Sequence, residues 1–152
     1  MTPRWALKRG LKWAVEWGTA ISGGGVLYRR SRTFREGSRI LTYHRIADNP
    51  TDSFTVEPSH FRDHVAYLAD NFNVVPLDEL ATGLRSGDRG VEKSVAVTFD
   101  DGYKEASGFV GETLLKHRVP ATIFVVTGIL DEPDKATGGP FLTWDEVRDL
   151  QE

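Results

Sequence analysis

The stretch Ser94-Val95-Ala96-Val97-Thr98-Phe99-Asp100-Asp101-Gly102-Tyr103 runs from a continuous apolar segment into two carboxylates and a glycine. An apolar run that does not alternate with polar residues is expected of a strand covered on both faces, as in a parallel sheet lined by helices. The acidic pair then falls at the carboxyl end of the strand, where α/β folds gather their reactive side chains. Gly102 has no Cβ and permits a tight turn there, so that both carboxylates can face one cleft.

Similar patterns flank this stretch. Residues 39–43 read as a first strand through Ile40-Leu41-Thr42-Tyr43, and residues 48–54 as a polar loop. Pro58 opens a helix in which Phe61, Val65, Leu68 and Phe72 share one face. A short strand at Val74-Val75 and a helix over residues 77–84 follow, closed by the turn Ser86-Gly87-Asp88. Beyond the acidic pair, residues 104–117 predict a single helix, residues 121–126 another buried strand and residues 131–140 a loop. Thr143 and Glu146 have the spacing of a capping box at the start of a last helix. Strand and helix in alternation predict α/β architecture with a parallel sheet. A closed (β/α) barrel takes roughly 200–250 residues, so four strands in 152 residues look like the first half of such a fold.

Composition narrows the function classes. The chain has no cysteine, which excludes disulfides and thiolate metal ligands. The net charge is −3, yet residues 1–38 hold eight Arg and Lys side chains against Glu16 and Glu36. A basic arm (1–38) therefore precedes an acidic body (39–152). That body is a poor nucleic-acid binder, whereas the arm suits either an anionic membrane surface or a solvated terminus. The least polar stretch, residues 13–28, contains Glu16 and the Ser22-Gly23-Gly24-Gly25 run. It is shorter than the roughly 20 apolar residues of a spanning helix, and no small-residue cleavage site follows it. A cytoplasmic or membrane-peripheral location is expected ahead of secretion.

On spacing alone, Asp100-Asp101 reads equally well as a reactive pair and as an acidic turn capping the next helix. Adjacent carboxylates repel unless a cation sits beside them, which suits one aspartate as a metal ligand and the other as a base. Aspartate phosphatases and dehalogenases require Asp-x-Asp, and the spacer is missing here. Receiver domains need a separate phosphoacceptor aspartate on a later strand, and the neighbouring strand ends offer none. Neither a glycine-rich phosphate loop nor a nucleophile elbow is present.

Thr98-Phe99-Asp100-Asp101-Gly102-Tyr103 resembles the first motif of the polysaccharide deacetylase family (the NodB-homology carbohydrate esterases). Three further segments, in the family's order, resemble its poly-N-acetylglucosamine deacetylase branch. They are Ile40-Leu41-Thr42-Tyr43-His44-Arg45-Ile46, Val119-Pro120-Ala121-Thr122-Ile123-Phe124 and Phe141-Leu142-Thr143-Trp144-Asp145-Glu146. The resemblance implies the N-terminal portion of a distorted (β/α) barrel with parallel strands. It also implies metal-dependent N-deacetylation of a polysaccharide such as an N-acetylglucosamine polymer. Asp100 is then the general base, Asp101 a ligand to a divalent metal, zinc in most of the family, and the Tyr103 backbone N–H an oxyanion donor. His44, at the end of the first strand, is the candidate general acid.

The remaining histidines and Trp144 carry blander expectations. His60 and His64 have metal-compatible spacing but lie on the Phe61/Val65/Leu68 helix and read as surface residues. His117 suits a helix C-terminus, and Trp144 is expected to pack its helix onto the core. Relatives continue to a His-x-x-x-His metal motif on a later element, which residues 1–152 do not supply. The resemblance thus implies an incomplete metal site, unpaired sheet edges and no activity for the 152-residue chain alone. A noncatalytic remnant that binds glycan or protein is the alternative, and its glycan binding would survive Asp101→Asn. An unrelated α/β interaction domain would show neither property.

Overall fold

The computed structural model describes residues 36–48, 52–130 and 141–151. Apart from its last three residues the basic arm lies outside these, as does the expected 131–140 loop. Six strands and four α-helices follow in the described chain. They are β1 (Arg39–Tyr43), β2 (Arg45–Ile46), β3 (Thr55–Val56), α1 (Pro58–Asn71), β4 (Asn73–Val74), α2 (Leu77–Ser86), β5 (Ser94–Phe99), α3 (Phe109–His117), β6 (Ala121–Ile123) and α4 (Trp144–Asp149). Short 3-10 turns at Arg89–Val91 and Lys104–Ser107 lead into and out of the β5 region.

β5 is the centre of the sheet, and every one of its residues is buried. β1 runs parallel along one edge, from Arg39 opposite Val95 to Tyr43 opposite Phe99. β4 pairs with the start of β5 and β6 with its end, both parallel. The expected α/β parallel arrangement is therefore observed. Because β5 side chains alternate between faces, its residues serve two cores. Val95, Val97 and Phe99 join Phe61, Val65 and Leu68 of α1 and Val110 and Leu114 of α3. Ala96 meets Leu80 of α2 together with Val75 and Val91. Thr98 is buried too, and its hydroxyl donates to Thr42 Oγ1 at 3.0 Å on the neighbouring strand.

α1 begins with proline in its first turn, where the missing N–H has no intrahelical role. Its apolar stripe contacts an aromatic cluster at the end of β1. Tyr43 lies edge-on to Phe61 with ring centroids 5.3 Å apart and stacks on Phe99 at 5.4 Å. Burial pushes the Tyr43 phenol up to about 12.

Four local expectations need correction. Residues 104–117 are not one helix: Gly108 leaves helical geometry (φ −118°, ψ −118°) between the 3-10 turn and α3. The two pieces answer to different partners. Lys104 and Ser107 are bound by Glu146, whereas Val110 and Leu114 follow the β5 core. The strand expected over residues 121–126 ends at Ile123 and is only half-buried, because β5, its partner, ends at Phe99. Phe124 and Val126 emerge 50% and 43% exposed. Trp144 does not pack α4 onto the core: it is 42% exposed, and Val147 makes that contact with the Leu142 cluster. The two-residue strands β2 and β3, which pair in parallel, were not foreseen.

The Thr143/Glu146 capping box is present and extends further than predicted. Glu146 accepts from the Thr143 backbone N–H at 2.8 Å, from Ser107 Oγ at 3.1 Å and from Lys104 Nζ at 3.2 Å. The Thr143 N–H is the largest of the influences holding the Glu146 carboxyl below the ordinary glutamate range; burial opposes them. A depressed folded value means that the unfolded chain binds the proton more tightly. The contribution to stability is therefore present above the unfolded glutamate value and lost as pH falls through the folded one. The stability gap between wild type and Glu146→Gln in urea unfolding should accordingly narrow between about pH 7 and about pH 3. A gap independent of pH would contradict this account of Glu146.

Candidate active site

The β1–β5 register dictates which side chains meet at the sheet's carboxyl rim. Tyr43 lies opposite Phe99, so the next residues, His44 and Asp100, emerge side by side. The Asp100 N–H donates to the Tyr43 carbonyl at 2.8 Å, extending the ladder one step beyond the strands. His44 Nε2 lies 3.8 Å from Asp100 Oδ2, and both side chains are about one-third exposed (33% and 39%). That distance is an ionic approach rather than a direct hydrogen bond.

Past Asp100 the backbone turns through two successive left-handed residues, Asp101 at φ 70° and Gly102 at φ 71°. For a residue with a Cβ this conformation costs about 1–2 kcal/mol, and aspartate is among those that tolerate it best. The turn brings Asp101 into a cleft of about 330 Å³ shared with His44, Arg45, Asp52, Phe54 and Tyr103. Gly102 is buried, and a Cβ added there would lie 3.0 Å from Val125 Cγ1. Tyr103 stacks on Phe141 with centroids 5.0 Å apart, and the Leu142 N–H donates to the Gly102 carbonyl at 2.9 Å. The last motif read in the sequence therefore braces the first.

Sequence reasoning missed several residues of this cleft. Arg45 lies between Glu105 and the Tyr103 ring: its Nε is 3.3 Å from Glu105 Oε1, and its guanidinium carbon is 5.5 Å from the ring centroid. The only signal for Arg45 was its place directly after His44. Asp52 Oδ1 accepts from the backbone N–H groups of Phe54 and Thr55 at 2.8 and 2.9 Å. These bonds, the Phe54 N–H foremost, hold its carboxyl below the usual aspartate range. Phe54 packs against the His44 ring with centroids 5.2 Å apart.

The other histidines stay away from the cleft. His60 and His64 are exposed on α1, and His64 Nδ1 lies 3.1 Å from the Tyr43 hydroxyl. His117 ends α3. Among the described residues no three His, Cys, Asp or Glu side chains converge to hold a metal ion. A zinc site of the usual three protein ligands does not fit the described residues alone.

Residues 87–152 match the polysaccharide deacetylase family. The chain is 33% identical over 88 residues to the protein YxkH of Bacillus subtilis, a match covering 57% of this chain and 31% of that protein. It is 30% identical over 126 residues to the poly-beta-1,6-N-acetyl-D-glucosamine N-deacetylase of Escherichia coli, covering 75% of this chain and 19% of that protein. Among solved structures, IcaB from Ammonifex degensii superposes with a TM-score of 0.67 at 25% identity, over 76% of this chain and 48% of that one. The de-N-acetylase from Aggregatibacter actinomycetemcomitans gives 0.62 at 27% identity, over 75% and 50%. The chain thus spans less than a third of these curated relatives and about half of these solved ones.

The turn at Asp101–Gly102 yields a direct test of the geometry. Gly102→Ala should cost about 1–2 kcal/mol from its backbone conformation alone, with a further cost for displacing Val125, measured by denaturant unfolding. A variant as stable as wild type would mean that the turn does not take this form.

Proposed function

We propose, from the match of residues 87–152 to the polysaccharide deacetylase family, that the protein removes acetyl groups from the amino sugars of a polysaccharide, an N-acetylglucosamine polymer being the first candidate. The observation that carries this reading is the pairing of His44 with Asp100, 3.8 Å apart, beside Asp101 at one rim. Hydrolysis of an amide requires a base for the attacking water and an acid for the departing nitrogen.

In this reading Asp100 takes a proton from water as the water oxygen bonds to the acetamide carbonyl carbon. The Tyr103 backbone N–H is assigned to the resulting oxyanion. His44, protonated, gives its proton to the nitrogen as the carbon–nitrogen bond breaks, leaving a free amine and acetate. Asp101 is the chain's candidate ligand for a divalent metal, with zinc the first choice. Its further ligands must come from outside the described residues, so the steps above use the chain's own groups alone. The cationic arm, with its eight Arg and Lys side chains, would hold the domain at an anionic membrane surface, in a cytoplasmic or peripheral location.

The test is acetate release from an N-acetylglucosamine oligomer by the protein as its gene encodes it, read through past Glu152 wherever the frame continues. Asp100→Asn and His44→Ala should each lower the rate about 10²–10⁴-fold, and His60→Ala should leave it unchanged. No release by the wild type, or an undiminished rate in Asp100→Asn, would end the proposal. Residues 1–152 alone should release none, for want of three converging metal donors among the described residues.

A further inference from the structure

Glu105 is not needed by the reaction above, yet it is placed unusually for a carboxylate. It lies in the 3-10 turn that follows Tyr103, and its side chain is three-quarters covered, at 25% exposure. Oε1 accepts from Arg45 Nε at 3.3 Å. Oε2 is buried and has no hydrogen-bond partner among the described residues. A buried carboxylate oxygen without a donor is unfavourable, and native structures nearly always satisfy such a group directly or through an ordered water.

Next to it is a small recess of about 10 Å³ lined by His44, Tyr103 and Glu105, with Ile46 and Phe99 among its apolar walls. That is about the volume a single water needs, provided it finds at least two polar partners. His44 and Glu105 both reach this space. Nε2 is the ring nitrogen turned towards Asp100, at 3.8 Å. Nδ1 is therefore the nitrogen left for a second contact. When one ring nitrogen binds a fixed acceptor, that bond decides which nitrogen carries the proton and which way the ring faces.

We propose that Glu105 is a positioning residue for His44, acting through one water held in this space. The His44 Nδ1–H donates to the water, and the water donates to Glu105 Oε2. Arg45 holds the opposite oxygen and so keeps the carboxylate aimed inward. The neutral ring is thereby kept as the Nδ1–H tautomer, with bare Nε2 facing Asp100. This leaves Nε2 as the site where a proton is gained and given up. Arg45 adjoins His44 in sequence and its guanidinium lies over the Tyr103 ring. The same strut therefore ties the histidine's strand to the turn that carries the carboxylates.

The inference rests on the deacetylase reading only for what His44 is used for, so its first test avoids activity. Nitrogen-15 NMR of the His44 ring, at a pH where it is neutral, reports which nitrogen is protonated. The wild-type chain should show the Nδ1–H form, although free imidazole side chains favour Nε2–H. Glu105→Gln keeps the volume but not the charge, and should shift His44 towards Nε2–H; Glu105→Ala should do so further. Because the alanine variant can fail to fold, the glutamine variant decides. A wild-type ring already in the Nε2–H form, or a tautomer unmoved in Glu105→Gln, would overturn the proposal. In the deacetylation assay Glu105→Gln should lower kcat with KM little changed. If the wild type proves inactive while the tautomer shifts as described, the functional reading fails and the positioning role stands.

Discussion

The parallel pairing of β1 with β5 is the constraint on which the rest of the site depends. It fixes Tyr43 opposite Phe99, and once that pair is in place His44 and Asp100 have no choice but to emerge together. A slip of one residue would turn one of the two side chains to the other face of the sheet. Register is defended on both faces of β5. One face carries Val95, Val97 and Phe99 into the larger core, and on the other the small Ala96 fits against α2. The buried Thr98–Thr42 hydroxyl pair adds a polar mark that a shifted register would break.

This firm base supports a less relaxed structure above it. The aromatic cluster of Tyr43, Phe61 and Phe99 is packed on all sides, with edge-on and stacked contacts. One residue beyond it the chain enters two successive left-handed positions, the first occupied by an aspartate. Unfavourable backbone geometry next to well-packed strand ends is a common arrangement at functional sites, since the core's surplus stability holds the turn in place. The turn is also braced from outside, by Tyr103 against Phe141 and by Gly102 against Leu142.

Much of this was legible in the sequence, wherever one residue type has a single physical use. The continuous apolar run Val95-Ala96-Val97 suited a strand covered on both faces, and Thr143 with Glu146 had the spacing of a helix start. The three-to-four spacing of Phe61, Val65 and Leu68 marked the buried face of α1. The failures have one cause in common. The break at Gly108, the early end of β6 and the exposure of Trp144 are each decided by what a distant segment offers. Gly108 separates two pieces with different tertiary partners, and β6 stops where β5 stops. For the site, the sequence pointed to His44, Asp100, Asp101 and Tyr103 because they stand in recognisable motifs. The roles of Arg45, Asp52 and Glu105 were not legible because they exist only once β2, the loop before β3 and the turn after β5 come together.

Glu146 bonds to Ser107 across 39 positions of sequence, and Phe141 closes on Tyr103 from nearly as far. On a ribosome the turn after β5 therefore emerges well before the segment that clasps it. During that interval the β1–β5 pair can already form, but the loop bearing Asp101 and Gly102 has only its own unfavourable geometry to rely on. Helix α4, short and with no buried residue of its own, would then act as a latch that closes only after the turn it clasps has been made. Its contribution to the fold is one of timing more than of bulk.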